Sequence, residues 1–301
     1  MSDIELLIED YLTYLSETYS DFDKNKDIIN KACKVAKIAH EWQFRKYSGK
    51  PYIVHPLRVS RMMAKKTKDL SLILAAILHD TVEDAPDKVS MSYIYKTFWD
   101  EVWYLVDSVT NNIMYFYNEP DVKFKDKLDK LLTGGMRDAR CLVLKMLDRE
   151  HNNKTLVWLK TDKQIRKSFE TQALYVPLRK ILKFDDEKFD INNVSSLLST
   201  YQKEHNISSV SELKSSLYQI TFRDIDSENF ELFYYSSDSI VWEIEDKGLL
   251  EYLMSNDNFD DSIEVVSISQ DASWKFRCLF KYRKWQIFDW WFKANISSFI
   301  K

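Results

Sequence analysis

Glycine and proline are scarce in this chain of 301 residues, with four of the first and five of the second. A many-stranded all-β protein needs far more turn-formers than that. The scarcity favours long helices joined by short polar connections. Cysteine is scarce too. Cys33, Cys141 and Cys278 are odd in number and far apart, which argues against a disulfide framework or a cysteine zinc site. The first two fall inside helical apolar patterns and read as small buried side chains. No apolar run approaches the roughly 18–20 residues that span a bilayer, and Met1-Ser2-Asp3-Ile4-Glu5 lacks the basic start of a signal peptide. Neither sign of charge dominates. A net charge of −4 gives no global pull toward nucleic acid, although it leaves local basic patches open. These absences point to a reducing, cytoplasmic setting with no membrane partner.

What is present is ample core material. Apolar residues make up 45% of the chain and aromatics 14%, enough for one large domain or two ordinary ones. Apolar residues recur at helical spacing along most of the first two thirds. The pattern predicts one helix from Leu70 to about Asp84 and two more over 124–134 and 136–149, divided by Gly134-Gly135. It reads 111–123 as irregular and 161–183 as a helix kinked near Pro177. Beyond Lys183 the texture changes. Segments of period two follow at 217–222, 230–234, 240–244, 263–268 and 274–280, a pattern that argues for strands, with a short helix near Leu249 to Met254. The fold class expected is α+β: an all-helical domain over residues 1–200, then a small antiparallel β-rich domain over 201–301.

The residues with most chemical content are His79-Asp80-Thr81-Val82-Glu83-Asp84, which follow the apolar run Ile73-Leu74-Ala75-Ala76-Ile77-Leu78. A run that apolar reads as a buried helix. Charges at its end are costly unless they are paired or bind a metal. Residues four apart share a helix face, which puts His79 near Glu83 and Asp80 near Asp84. That layout suits metal-assisted hydrolysis, with ligands first and proton-transfer groups one turn on. Two further candidate ligands are His55, between Pro51 and Pro56, and Asp148, at the end of a second apolar helix. A set of two imidazoles and two carboxylates suits Mn²⁺, Fe²⁺ or Zn²⁺ better than Ca²⁺, which prefers oxygen cages. His55 or Asp148 taken alone reads better as a lone polar group at a helix end; the adjacent His79-Asp80, with Glu83-Asp84 behind it, favours chemistry.

Four segments in order carry a resemblance: Arg45-Lys46-Tyr47-Ser48-Gly49-Lys50-Pro51-Tyr52-Ile53-Val54-His55-Pro56-Leu57, Leu78 to Asp84, Leu105-Val106-Asp107-Ser108-Val109-Thr110, and Lys145 to Leu156. Together they resemble the hydrolase domain of RelA/SpoT proteins, members of the HD superfamily, from about Ala39 to about Leu178. The resemblance implies an all-α HD-type fold for the helical domain and a single Mn²⁺ held by His55, His79, Asp80 and Asp148. It implies that Glu83 and Asp84 handle the attacking water and proton transfer. It also implies that Arg45, Lys46, Asn152, Thr155 and Tyr175 line the substrate. Such proteins remove pyrophosphate from the 3′ position of guanosine tetra- or pentaphosphate. Tyr47 reads as an insertion in the loop over the base, and Met146-Leu147 and Glu150 also depart from the family pattern. These departures bear on base preference and leave the metal and acid positions untouched. His40 and His151 are expected as packing or supporting residues.

Nothing after residue 200 resembles the synthetase domain of those proteins. The stretch Lys281 to Lys293 interleaves basic and aromatic residues, a mixture that fills small cores and also stacks on RNA ends or meets a protein partner. Several substrates stay open: a guanosine alarmone such as ppGpp, its adenosine counterpart (p)ppApp, a pyrophosphorylated RNA 3′ end, or a nicotinamide dinucleotide phosphate. So does an antitoxin-type role, in which the protein neutralises a cognate alarmone or RNA-pyrophosphorylating synthetase by binding it or reversing its product.

Overall fold

The computed structural model describes residues 3–46, 48–110, 120–155, 171–223, 230–236, 239–244, 263–270 and 276–282. The chain divides into two compact units, one made of residues 1–154 and 181–204, the other of 155–180 and 205–301. Residues 155–180 thus group with the C-terminal part of the chain. The segment Thr171–Tyr175, a wide π-type turn, packs on a helix more than thirty residues later, Val210–Arg223.

The first unit is helical. Helices α1 (Asp3–Thr18), α2 (Phe22–Ala39), α3 (Val54–Lys66) and α4 (Leu70–Leu78) are followed by α5 (Thr81–Asp84), α6 (Met91–Thr97), α7 (Asp100–Val109), α8 (Pro120–Arg137) and α9 (Arg140–Asn153). A short α10 (Val176–Ile181), which falls almost wholly in the second unit, precedes α11 (Val194–Glu204) of the first. Helix α4 is the centre. Every residue from Ser71 to Leu78 is buried, and α2, α3, α7 and α9 all pack against it. A helix apolar on all sides has no solvated face to offer, so neighbours must surround it. Its start is fixed by Asp69, whose carboxylate accepts a hydrogen bond from the Leu72 amide at 3.1 Å, a side-chain N-cap. The other Asp69 oxygen accepts from Arg140 at 2.9 Å. Arg140 thereby clamps the N-terminal ends of α4 and α9 together.

Three expectations are corrected here. The long helix from Leu70 to Asp84 breaks after Leu78, where a side chain takes over the terminal carbonyl: Thr81 Oγ1 donates to Leu78 O at 2.7 Å. Gly134-Gly135 do not divide two helices. Helix α8 runs through them and stops at Arg137. The glycines serve close packing instead: a Cβ on Gly134 would meet Ser108 Cβ at 2.9 Å, and one on Gly135 would meet Leu142 Cγ at 2.5 Å. Of the stretch expected irregular over 111–123, residues 120–123 instead open α8; residues 111–119 of it, 161–170 of the expected kinked helix and the expected helix at 249–254 lie outside the described residues.

In the second unit, α12 (Val210–Arg223) occupies the stretch expected to open the sheet, so the strand reading of 217–222 is wrong. Apolar and polar residues there satisfy a helical repeat as well as an alternating one, an ambiguity inherent in short runs. Four strands follow: β1 (Phe230–Ser236), β2 (Ser239–Ile244), β3 (Ile263–Gln270) and β4 (Phe276–Tyr282). They form an antiparallel sheet in the order β1-β2-β4-β3. Register runs from Phe230↔Ile244 to Ser236↔Ser239, with a shift between Leu232 and Tyr234, and a second shift falls between Val265 and Ser267. The basic and aromatic stretch beyond Tyr282 lies outside the described residues. Among those described, no helix is long and apolar enough to cross a membrane.

Two outcomes follow from this packing. Gly→Ala inside a helix ordinarily stabilises by up to about 1 kcal/mol. Gly135→Ala should instead destabilise by about 1–3 kcal/mol, because Leu142 must be displaced within a filled core; urea unfolding of the two proteins gives the sign. Burial pushes the Cys33 and Cys141 thiols up to about 12. Only the thiolate attacks. Folded protein at pH 8 should therefore leave both unlabelled by iodoacetamide, and denatured protein should label them, as peptide mass spectrometry would show.

Candidate metal centre

Three separated stretches of chain deliver the cluster. His55 lies in the first turn of α3, where Pro56 sits one residue further on at no cost in hydrogen bonding, since first-turn amides have no helical acceptor. His79 and Asp80 occupy the break between α4 and α5. Asp148 lies on α9, with Lys145, His151 and Asn152 three or four residues away on the same face. The Arg140–Asp69 clamp brings the chains level. His79 lies nine residues after Leu70, a rise of about 14 Å, and Asp148 eight after Arg140, about 12 Å, so two helices that start together bring their polar groups side by side.

The convergence is close. Ligand atoms of His55, His79 and Asp80 all lie within 4.8 Å of one another. His55 Nε2 is 3.1 Å from Asp148 Oδ1 and 3.4 Å from Asp80 Oδ2. His79 Nε2 is 3.2 Å from Asp80 Oδ1 and 3.7 Å from Asp148 Oδ1. Both imidazoles and Asp148 are buried. The outer oxygen of Asp148 accepts from Lys145 Nζ at 2.5 Å, and its inner oxygen also accepts from Asn152 Nδ2 at 2.6 Å. Tyr52 OH donates to Asp80 Oδ2 at 3.0 Å.

Whether these residues suit a cation can be tested on His79. Its Nδ1 faces the Ala76 carbonyl at 2.9 Å. A carbonyl only accepts, so Nδ1 carries the proton and Nε2 of the neutral ring is bare. That Nε2 is buried and has no hydrogen-bond partner, although Asp80 Oδ1 is within ion-pair distance; the contact is close but out of line. A lone pair facing carboxylate oxygens is unfavourable unless something positive stands between them. Burial alone disfavours an imidazolium here, yet Asp80 and Asp148 outweigh it and raise His79 to about 9. The same charges act in reverse: despite burial, His79 and His55 hold the Asp80 carboxyl below the usual range, and Lys145 with the two imidazoles holds Asp148 well below it. The cluster thus demands positive charge at its middle, and its mixed N and O donor set fits a divalent transition metal.

Around it stand the other residues named from sequence. Glu83 and Asp84 lie on α5, and Asp84 N donates to Asp80 O at 2.9 Å, one turn back. Glu83 is half-buried and Asp84 exposed at its tip. Partial burial, then the nearby Asp80 and Glu83 charges, push the Asp84 carboxyl up to about 6. Arg45 lies over the Tyr52 ring at 5.6 Å, and Lys46 is exposed in the same loop. Thr155 and Tyr175 belong to the second unit, where Tyr175 is buried. The structure also adds residues that sequence reasoning passed over. Tyr52 holds Asp80. Gln43 Oε1 accepts from His40 Nδ1 at 2.8 Å and its Nε2 donates to Asp84 O at 2.9 Å, tying α2 to α5. Arg58, one turn after His55, faces His151; burial first, then the charges of His55, Arg45, Arg58 and Lys154, lower His151 to about 3. Spacing of i+3 from His55 was the available signal for Arg58. Lys145 pairs with Asp148.

Known proteins match this region. The HD domain family matches residues 32–182. A probable GTP pyrophosphokinase of Mycobacterium leprae is 36% identical over 171 residues, 57% of this chain and 21% of that one. A guanosine-3′,5′-bis(diphosphate) 3′-pyrophosphohydrolase of Borreliella burgdorferi is 30% identical over 195 residues, 65% of this chain and 29% of that one. The bifunctional (p)ppGpp synthase/hydrolase SpoT of Escherichia coli is 34% identical over 167 residues, 56% of this chain and 23% of that one. The chain thus spans less than a third of the length of these relatives. Its alignment with all three, and the family match that takes in His55, His79, Asp80 and Asp148, place it plainly: the chain belongs to the HD domain family and is homologous to the RelA/SpoT proteins.

Proposed function

We propose that the protein is a metal-dependent phosphohydrolase that removes the 3′-pyrophosphate from (p)ppGpp-like nucleotides. The observation that carries this reading is the convergence of His55, His79, Asp80 and Asp148 around a bare, buried Nε2. Support for the substrate comes from the relatives, two of which are named for (p)ppGpp hydrolysis. A divalent ion in that cluster, with Mn²⁺ the first candidate, supplies Lewis-acid activation of water and neutralises phosphate charge.

The chain's own groups do the rest. Glu83, one turn beyond Asp80, takes a proton from the attacking water. The water oxygen bonds to the phosphorus next to the ribose 3′ oxygen, and that P–O bond breaks. Asp84, protonated more readily than an ordinary carboxyl, gives a proton to the departing 3′ oxygen. The products are a nucleotide with a free 3′ hydroxyl and inorganic pyrophosphate. Arg45, Lys46 and Arg58 offer charge-assisted bonds to phosphate oxygens. Asn152 holds Asp148 and stands beside the substrate; for Thr155 and Tyr175, support comes from the sequence resemblance alone. The four-stranded sheet belongs to an accessory C-terminal region.

Purified protein with Mn²⁺ should release pyrophosphate from ppGpp, assayed beside the adenosine counterpart, a 3′-pyrophosphorylated RNA and NADPH. EDTA should stop the release and added Mn²⁺ restore it, while the double variant His79→Ala, Asp80→Ala should stay inactive. Retention of full activity by that variant would refute the hydrolase reading. Glu83→Gln should lower kcat by about 10²–10⁴-fold, the span general-base removal costs, with Mn²⁺ affinity within about threefold of wild type because Glu83 is assigned no ligand role; steady-state kinetics and titration calorimetry separate the two quantities.

A further inference from the structure

His151 is buried on α9, three residues after Asp148. Its Nδ1 lies 2.6 Å from Nδ1 of His55, with the ring centroids 4.8 Å apart and the planes tilted by 35°. At that distance two lone pairs repel and two N–H groups collide. One proton must lie between the rings, so one ring donates and the other accepts.

Which ring donates decides what His55 can do. Its other nitrogen, Nε2, points at Asp148 Oδ1 and Asp80 Oδ2. A proton on Nε2 would form a hydrogen bond to those carboxylates and bar the nitrogen from a metal. A bare Nε2 is a ligand, and the neutral ring then carries its proton on Nδ1, donated to His151. The other imidazole of the cluster has no such choice. His79 Nδ1 faces the Ala76 carbonyl, which fixes its tautomer whatever else binds. His55 faces a partner that can give or take.

We propose that His151 is a positioning residue: by accepting the His55 Nδ1 proton, it holds His55 Nε2 bare for a divalent cation. On this account its own proton sits on Nε2. The two rings exchange roles when the metal leaves, His55 Nε2–H turning to Asp148 and His151 Nδ1–H to His55. The inference rests on reading the cluster as a metal centre. A partner behind a ligand imidazole ordinarily contributes 10–100-fold in metal affinity.

The test uses full-length protein stripped with EDTA and titrated with Mn²⁺ in a calorimeter. His151→Leu, which keeps bulk and removes the acceptor, should bind Mn²⁺ about 10–100-fold more weakly than wild type. His151→Asn, whose Oδ1 stands near the place of Nδ1, should stay within about threefold. In Zn²⁺-loaded wild-type protein, long-range ¹H–¹⁵N spectra should show His55 protonated at Nδ1 and His151 at Nε2. Equal affinity in wild type and His151→Leu would overturn the proposal, as would an Asn variant as weak as the Leu variant, since ring packing would then be the cause. If His151→Leu melts early without metal, the wild-type spectrum decides alone: a proton on His55 Nε2 overturns the proposal. Wild-type protein that takes up no metal ends the metal-centre reading itself, and this inference with it.

Discussion

Everything in the helical unit answers to one electrostatic problem: two carboxylates and two imidazoles held together at the end of its most buried helix. Burying unpaired charge is prohibitive, and here the charges are placed so that each one needs the others. Asp148 stays ionised because Lys145 and two imidazoles surround it, and Asp80 because His79 and His55 do. The scaffold exists to keep that arrangement level. The Arg140 clamp sets the starting line of α4 and α9, the glycines of α8 let its neighbours approach, and the Thr81 hydroxyl bonds the last carbonyl of α4 just before the polar cluster.

The broad plan was legible in the sequence for physical reasons. An apolar run with no polar interruption permits only a surrounded helix, and His79-Asp80 directly after it fixes where polar groups emerge. The apolar pattern expects Asp148 to end its helix, and α9 instead runs on to Asn153. What was not legible depended on the third dimension. Gly134-Gly135 looks like a break because glycine is a poor helix former; only the nearness of Ser108 and Leu142 shows that missing side chains were the point. The segment 217–222 satisfies two periods at once, and the sequence alone holds nothing to choose between them.

The supporting residues were the least legible of all. Tyr52, Gln43, His151 and Lys145 touch the centre through contacts that span up to 96 residues of chain. Aromatic and amide residues serve packing so commonly that nothing in the string of letters separates a ligand's partner from an ordinary core residue.

The loop between α2 and α3 is fastened at both ends. Gln43 anchors its start to the backbone of α5, and Tyr52 anchors its end to Asp80. Between these moorings the backbone pairs across itself, with Arg45 N donating to Lys50 O at 2.9 Å and Phe44 bridged to Pro51. Residues 44–51 can therefore be lengthened or rewritten without shifting the charges beneath them. Such a loop gives evolution a place to vary what lies above the cluster while the buried groups stay unchanged.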